Sequence, residues 1–249
     1  MHMSTFEKIL AVKKEFKAGY WVLLDPDKLD SEEIPNFVQK AEQSSVDGFL
    51  VGGSLILSSD FNLFVAELKK HSKNIPVILF PGSVHQITPA ADALLFLSLI
   101  SGREAQHLIG SQVLAAPLVY RSGIEAISTA YMLIDTGRQT SAHFMSGTMP
   151  LPRNKPDILM AHILAAQYLG FKLIYLEGGS GSDSSIPDEL IFAANKVTDI
   201  PLIVGGGIRT PDEARAKVKA GASFIVTGNI LETTENGNLM AEMAAAVHG

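Results

Sequence analysis

Eight short apolar runs punctuate the chain, at residues 20–25, 48–51, 76–80, 93–98, 129–135, 173–177, 201–204 and 224–227, each closed by Gly, Asp or Pro. They read as nearly continuous hydrophobic stretches, not as an apolar/polar alternation, and so suit parallel strands covered on both faces. Helical patterns lie between most of them. Residues 60–70 put Phe61, Phe64, Val65 and Leu68 on one stripe at helical spacing. Thr210-Pro211-Asp212-Glu213 carries three start signals together: an N-cap, a first-turn proline and a glutamate three residues past the cap. Gly221 then stands where that helix stops, and residues 155–170 end in Leu-Gly before the next strand. Strands alternating with helices imply βα units and a parallel sheet. Eight of them in 249 residues predict an α/β chain closed into a (β/α)8 TIM barrel, one domain spanning 1–249.

The pattern is irregular in two places. Residues 81–92 contain Pro81, Gly82 and Pro89, which leaves no room for a connecting helix with two loops. The barrel is therefore expected to lack the helix between strands 3 and 4, either through drift in a tolerant ring or as an opening for a long apolar ligand. After strand 4 the connection is long instead, with a helix-like stretch at 103–115 and a second segment around Ile124. Residues 135–156 are polar, punctuated by Gly137 and Gly147, and read as a mobile loop. Leu239, Met240, Met243 and Val247 read as core packing near the C-terminus.

Composition narrows the function. The net charge is −6 and no basic cluster appears, so the chain is a poor candidate for coating nucleic acid. An anion must then be held by local groups or a metal, not by the overall field. The absence of Cys excludes disulfides, thiol catalysis and Cys-ligated zinc, and fits a reducing compartment. The most apolar run, 93–100, is far short of the ~20 residues of a spanning helix, and residues 1–17 mix Glu and Lys with apolar residues, unlike a secretory signal. The seven histidines show no metal-binding spacing and are read as non-catalytic, with His85 and His143 the two that lie in loops.

In such a barrel the chemistry sits at the C-terminal ends of the strands, and glycines crowd that end here. Gly205-Gly206-Gly207 after strand 7 and Gly228-Asn229 after strand 8 occupy the usual phosphate position, where bare backbone N–H groups can approach an anion. Glycines that merely turn the chain are the plainer alternative. Asp25 closes strand 1 and Ser54 follows strand 2; together they offer hard oxygen ligands to Mg²⁺, or Asp25-Pro26-Asp27 simply forms a turn with side-chain hydrogen bonds. Glu177 ends strand 6 in a neutral, Gly-rich loop, as a general base or as an acceptor for loop N–H groups. Tyr175 shares its face of the strand, to bind a substrate oxygen or to pack.

Taken together, Leu24-Asp25-Pro26-Asp27-Lys28, Val51-Gly52-Gly53-Ser54, Tyr175-Leu176-Glu177-Gly178-Gly179-Ser180-Gly181, Val204-Gly205-Gly206-Gly207-Ile208-Arg209 and Thr227-Gly228-Asn229 resemble the geranylgeranylglyceryl phosphate synthase family. The likeness runs over nearly the whole chain in order, and the strand-6 loop is closer to the geranylgeranyl-transferring branch than to the heptaprenyl one. It implies a barrel without its third helix and a Mg²⁺-dependent prenyltransferase joining sn-glycerol 1-phosphate to geranylgeranyl diphosphate. It also implies a cytoplasmic homo-oligomer in contact with a membrane surface at most peripherally. Carried over by position, Asp25 and Ser54 hold Mg²⁺. Tyr175, Leu176, Glu177, Gly178, Gly179, Ser180, Gly181, Gly206, Gly207, Gly228 and Asn229 bind the glycerol phosphate, with Glu177 placing or deprotonating the attacking hydroxyl. A sugar-phosphate isomerase and a non-catalytic phosphate-binding protein are the alternatives.

Overall fold

A computed structural model describes residues 3–57, 60–228 and 238–249. Eight parallel strands close into a barrel in chain order: β1 (Gly19–Leu24), β2 (Gly48–Val51), β3 (Val77–Leu79), β4 (Ala93–Leu99), β5 (Glu125–Leu133), β6 (Leu173–Glu177), β7 (Leu202–Gly205) and β8 (Phe224–Thr227), with β8 returning to β1. Helices α1 (Thr5–Phe16), α2 (Ile34–Gln43), α3 (Phe61–His71), α4 (Ser111–Ser122), α5 (Ser141–Ser146), α6 (Pro156–Tyr168), α7 (Asp188–Asn195), α8 (Pro211–Ala220) and α9 (Leu239–His248) surround it. Between β3 and β4 stands only a 3-10 turn, Val84–Gln86, as the two prolines require. Among the described residues no helix is long and apolar enough to cross a membrane.

The strands are buried on both faces because two apolar layers meet there. Ile174 and Leu176 of β6 point outward into the layer beneath the helices, whereas Leu173 and Tyr175 point into the barrel. Inside, Trp21 of β1 stacks on Phe224 of β8 with centroids 4.5 Å apart, a contact worth roughly 0.5–1.5 kcal/mol beyond its buried area. Ile9 of α1 joins this cluster. The start of α1 is held by its Ser4/Glu7 capping box and by Glu125, whose carboxylate accepts from the Thr5 and Phe6 N–H groups at 2.6 and 3.3 Å. Leu239, Met240, Met243 and Val247 of α9 are buried in the outer layer, as expected.

Three expectations need correction. The helix after β4 does not end near Ala115, and Ile124 begins no separate segment. A single π-helical turn, Gln106–Gly110, leads into α4, which passes through Pro117 and ends at Gly123 (φ 70°). Pro117 is exposed, so the carbonyl it cannot serve is open to water. Strand β5 starts at Glu125, four residues before the apolar run, because the whole length of β4 pairs with it, from Ala93 opposite Glu125 to Leu99 opposite Tyr131. The polar stretch 135–156 also holds more order than a loop: α5 sits within it, and Ile134 bridges to Leu151.

Candidate active site

Tyr175 and Glu177 lie on the inward face of β6, so the strand delivers both into the mouth of the barrel. Glu177 is buried, and its Oε1 accepts the Gly179 N–H at 2.5 Å. Burial pushes its carboxyl up to about 7, although the Gly179 N–H and the Tyr175 hydroxyl both favour the ionised form. Burial, followed by the charge of Glu177, raises Tyr175 well above the ordinary tyrosine range. Tyr175 is therefore a neutral donor at any physiological pH. Its ring stacks on Phe80 at 4.8 Å with planes 9° apart, and Tyr131 meets both edge-on at 5.7 and 5.6 Å.

The loop after β6 folds against the glycines after β7. Gly178 N–H donates to Gly205 O at 2.9 Å. Gly206 and Gly207 adopt φ of 89° and 72°, a region that L side chains avoid. Space forbids side chains there as well: a β-carbon on Gly206 would lie 2.5 Å from the Gly179 nitrogen, and one on Gly207 would lie 2.5 Å from Ser184 O. Four carbonyls of the β6 loop are held by side chains from outside it. Thr136 Oγ1 donates to Gly178 O at 2.8 Å, Arg138 to Gly181 O at 3.4 Å, and Arg209 to Ser182 O and Asp183 O at 2.5 and 3.1 Å. The N–H groups of Ser180, Gly181, Gly206 and Gly207 donate to no other group among the described residues. These four residues line the cavity. N–H groups without a protein acceptor, on residues that line a cavity, are suited to act as an anion cradle.

Across the mouth stands Asp25. Its Oδ1 accepts the Asp27 N–H at 3.1 Å, and its Oδ2 lies 3.7 Å from Lys28 Nζ. The side-chain turn is thus present, yet Asp25 and Ser54 still reach the cavity wall. Gln86 fixes the neighbouring loop: its amide donates to Gly53 O at 2.8 Å and accepts from the Gly53 and Gly82 N–H groups at 3.3 and 3.0 Å. The 3-10 turn that stands in place of a helix therefore pins the β2 and β3 loops together.

Asp25, Ser54, Tyr175, Glu177, Ser180, Gly181, Gly206, Gly207 and Gly228 surround one cavity of about 660 Å³. Leu176 does not share it; its side chain faces the outer layer. Gly178 and Gly179 lie behind the wall, where Gly179 packs against Thr140. Asn229 lies outside the described residues. Sequence reasoning gave no role to Arg209, Thr136 or Gln86. Arg209 carried a signal, an arginine two residues past three consecutive glycines, whereas Gln86 and Thr136 carried none. The cavity also extends away from the cradle along Phe80, Ile87, Leu94, Leu95, Phe96, Leu97 and Ala115. Phe96 and Leu94 face outward on β4, so this apolar arm lies on the outer side of the sheet, beside α4, where the ring has no helix between β3 and β4.

A family model described as the PcrB family matches residues 11–247. The chain belongs to the PcrB family. A geranylgeranylglyceryl phosphate synthase of Spirosoma linguale is 43% identical over 231 residues, covering 93% of this chain and 92% of that protein. The enzyme of the same name from Thermococcus kodakarensis is 43% identical over 232 residues, covering 93% and 91%. Among solved structures, the (S)-3-O-geranylgeranylglyceryl phosphate synthase of Thermoplasma acidophilum, in complex with its substrate sn-glycerol-1-phosphate, superposes with a TM-score of 0.89 at 32% identity, over 99% of each chain. The expected membership among the geranylgeranylglyceryl phosphate synthases holds, and with it a prenyltransferase-like enzyme on a TIM barrel. No residue of this PcrB chain owes its placement to that likeness; the cavity assembles the site from β1, β2, β6, β7 and β8.

Proposed function

We propose that this chain joins the 3-hydroxyl of sn-glycerol 1-phosphate to geranylgeranyl diphosphate and releases diphosphate, the first ether bond of a lipid precursor. The observation that carries the reading is the shape of one cavity: an N–H cradle at one end, a buried carboxylate beside it, and an apolar arm leading away. The relatives' shared name and the glycerol phosphate bound by the Thermoplasma acidophilum enzyme support it. The cradle of Ser180, Gly181, Gly206 and Gly207 takes the acceptor's phosphate, which holds its hydroxyl near the reacting carbon. Glu177, balanced near neutrality, accepts the hydroxyl proton as the oxygen bonds to the first carbon of the prenyl chain and the bond to diphosphate breaks. The apolar arm keeps water from the allylic carbon, where hydrolysis would compete.

Asp25 and Ser54 are the residues that would hold Mg²⁺. Among the described residues no group of three or more His, Asp or Glu is placed to hold a metal, so these residues by themselves build no metal cage. One carboxylate and one hydroxyl suit a cation that keeps water and shares a substrate's phosphates. When bound there, Mg²⁺ supplies charge neutralisation for the leaving diphosphate. On the family resemblance we also assign the chain to the cytoplasm and to a homo-oligomer. Incubation with labelled sn-glycerol 1-phosphate and prenyl diphosphates of graded length, with and without Mg²⁺, tests the proposal. Incorporation that needs both substrates and the cation supports it, and no incorporation at any length overturns it. Turnover of a phosphosugar without diphosphate would instead favour an isomerase.

A further inference from the structure

Arg209 is exposed at the cavity wall, yet its guanidinium is committed to the loop across from it. One terminal nitrogen donates to Ser182 O at 2.5 Å and another to Asp183 O at 3.1 Å. Its own backbone N–H is held by Glu213 Oε2 at 2.7 Å, within the capping box that starts α8. The side chain is thus a brace with one foot on a rigid helix start and the other on the β6 loop. Arg209 stands two residues past Gly207, and its acceptors begin one residue past Gly181, so the brace fixes how far the two glycine segments lie from each other. Ser182 O and Asp183 O belong to the same loop as Ser180 and Gly181, whose N–H groups find no protein acceptor among the described residues. On the opposite flank Thr136 and Arg138 hold Gly178 O and Gly181 O. The loop has no helix or strand of its own, so these side chains are what tie it to the segments around it.

From this geometry we infer that Arg209 is a positioning residue for the acceptor's phosphate: it holds the Ser180–Gly181 segment of the β6 loop at a fixed distance from Gly206 and Gly207 and adds a fixed positive charge beside them. The inference rests on the proposed reading of the cradle as the glycerol phosphate site. A planar fork reaching two carbonyls at once is the property of Arg that Lys does not reproduce. The brace also explains how a chain of net charge −6 assembles an anion site: the cation is local and held by backbone.

Calorimetry with sn-glycerol 1-phosphate and steady-state kinetics on Arg209→Ala, Arg209→Lys and the control Arg215→Ala test this. Arg215 carries the same charge on α8 but pairs with Asp212. Losing charge-assisted hydrogen bonds to the loop is expected to weaken acceptor binding roughly 10- to 100-fold in Arg209→Ala. The KM for the acceptor rises by the same factor, while kcat at saturating acceptor and the KM for the prenyl diphosphate change little. Arg209→Lys recovers only part of the loss, added guanidinium recovers more, and Arg215→Ala binds as the parent does. Equal acceptor affinity in Arg209→Ala and the parent overturns the brace, as does a parallel fall in kcat and in affinity for both substrates. If the parent itself fails to bind sn-glycerol 1-phosphate, the proposed function fails instead, and the brace is then judged with inorganic phosphate as the probe by the same comparison.

Discussion

Gly206 lies so close to Glu177 that a β-carbon on it would stand 2.9 Å from the Glu177 Oε1. The left-handed backbone of one residue and the buried carboxylate of the other thus occupy the same small space. Gly206→Ala forces a strained φ and pushes on the Gly179 nitrogen and on Glu177 together. A loss of about 1–2 kcal/mol in stability is expected from the backbone alone. Acceptor affinity should fall further than that strain explains, measurable by thermal unfolding beside calorimetry. An alanine variant that binds sn-glycerol 1-phosphate normally would show that the cradle lies elsewhere.

Glu177 makes both activity and stability depend on pH. Its carboxyl titrates near 7 in the folded protein, against 4.5 for an ordinary glutamate. The folded state therefore holds this proton more tightly than the unfolded chain. The resulting stability is complete below about pH 4.5 and disappears as pH rises through 7. Its size is on the order of 3 kcal/mol. Glu177→Gln should flatten that part of the stability curve, seen in urea unfolding between pH 5 and 8. In turnover the ionised base is needed, so kcat/KM should rise through pH 7 in the parent. The glutamine variant should lose roughly 100-fold or more, together with that limb.

Asp25→Ala should release no diphosphate at a measurable rate, with circular dichroism and sn-glycerol 1-phosphate binding intact, since the cradle is built from other strands. A chelator should stop the parent in the same way, and Mg²⁺ should restore it. Full activity in the variant would remove Asp25 from the metal.

The apolar arm predicts a length effect. Ser111 of α4 lines the arm, and Ser111→Trp should narrow it. The longest prenyl diphosphate accepted should shorten while acceptor affinity stays put, read from product mass with a graded series of donors. An unchanged product length would place the chain outside this arm.

Gln86→Leu deletes three hydrogen bonds that tie the Gly53–Ser54 segment to the Gly82 loop. Leaving the Gly53 and Gly82 groups unpaired should cost about 1–3 kcal/mol, checked by denaturant unfolding.

Much of this molecule is written locally in its sequence. Strand positions, the cap and stop of α8, the missing helix and the glycines at the phosphate end all follow from residue type and spacing, since each depends on a few neighbouring residues: Pro81 and Pro89 bar a helix whatever surrounds them, and Thr210 with Glu213 caps one wherever it packs. The alternation along β6 likewise fixes that Tyr175 and Glu177 share a face. Other features belong to the closed barrel alone. That Leu176 turns outward, that β5 begins at Glu125, that Gln86 joins two loops and that Arg209 reaches the Ser182 and Asp183 carbonyls depend on which segments closure brings within hydrogen-bond range. The Glu177 carboxyl near 7 has the same origin, because desolvation comes from the packing of distant strands around it, which no local stretch of sequence encodes.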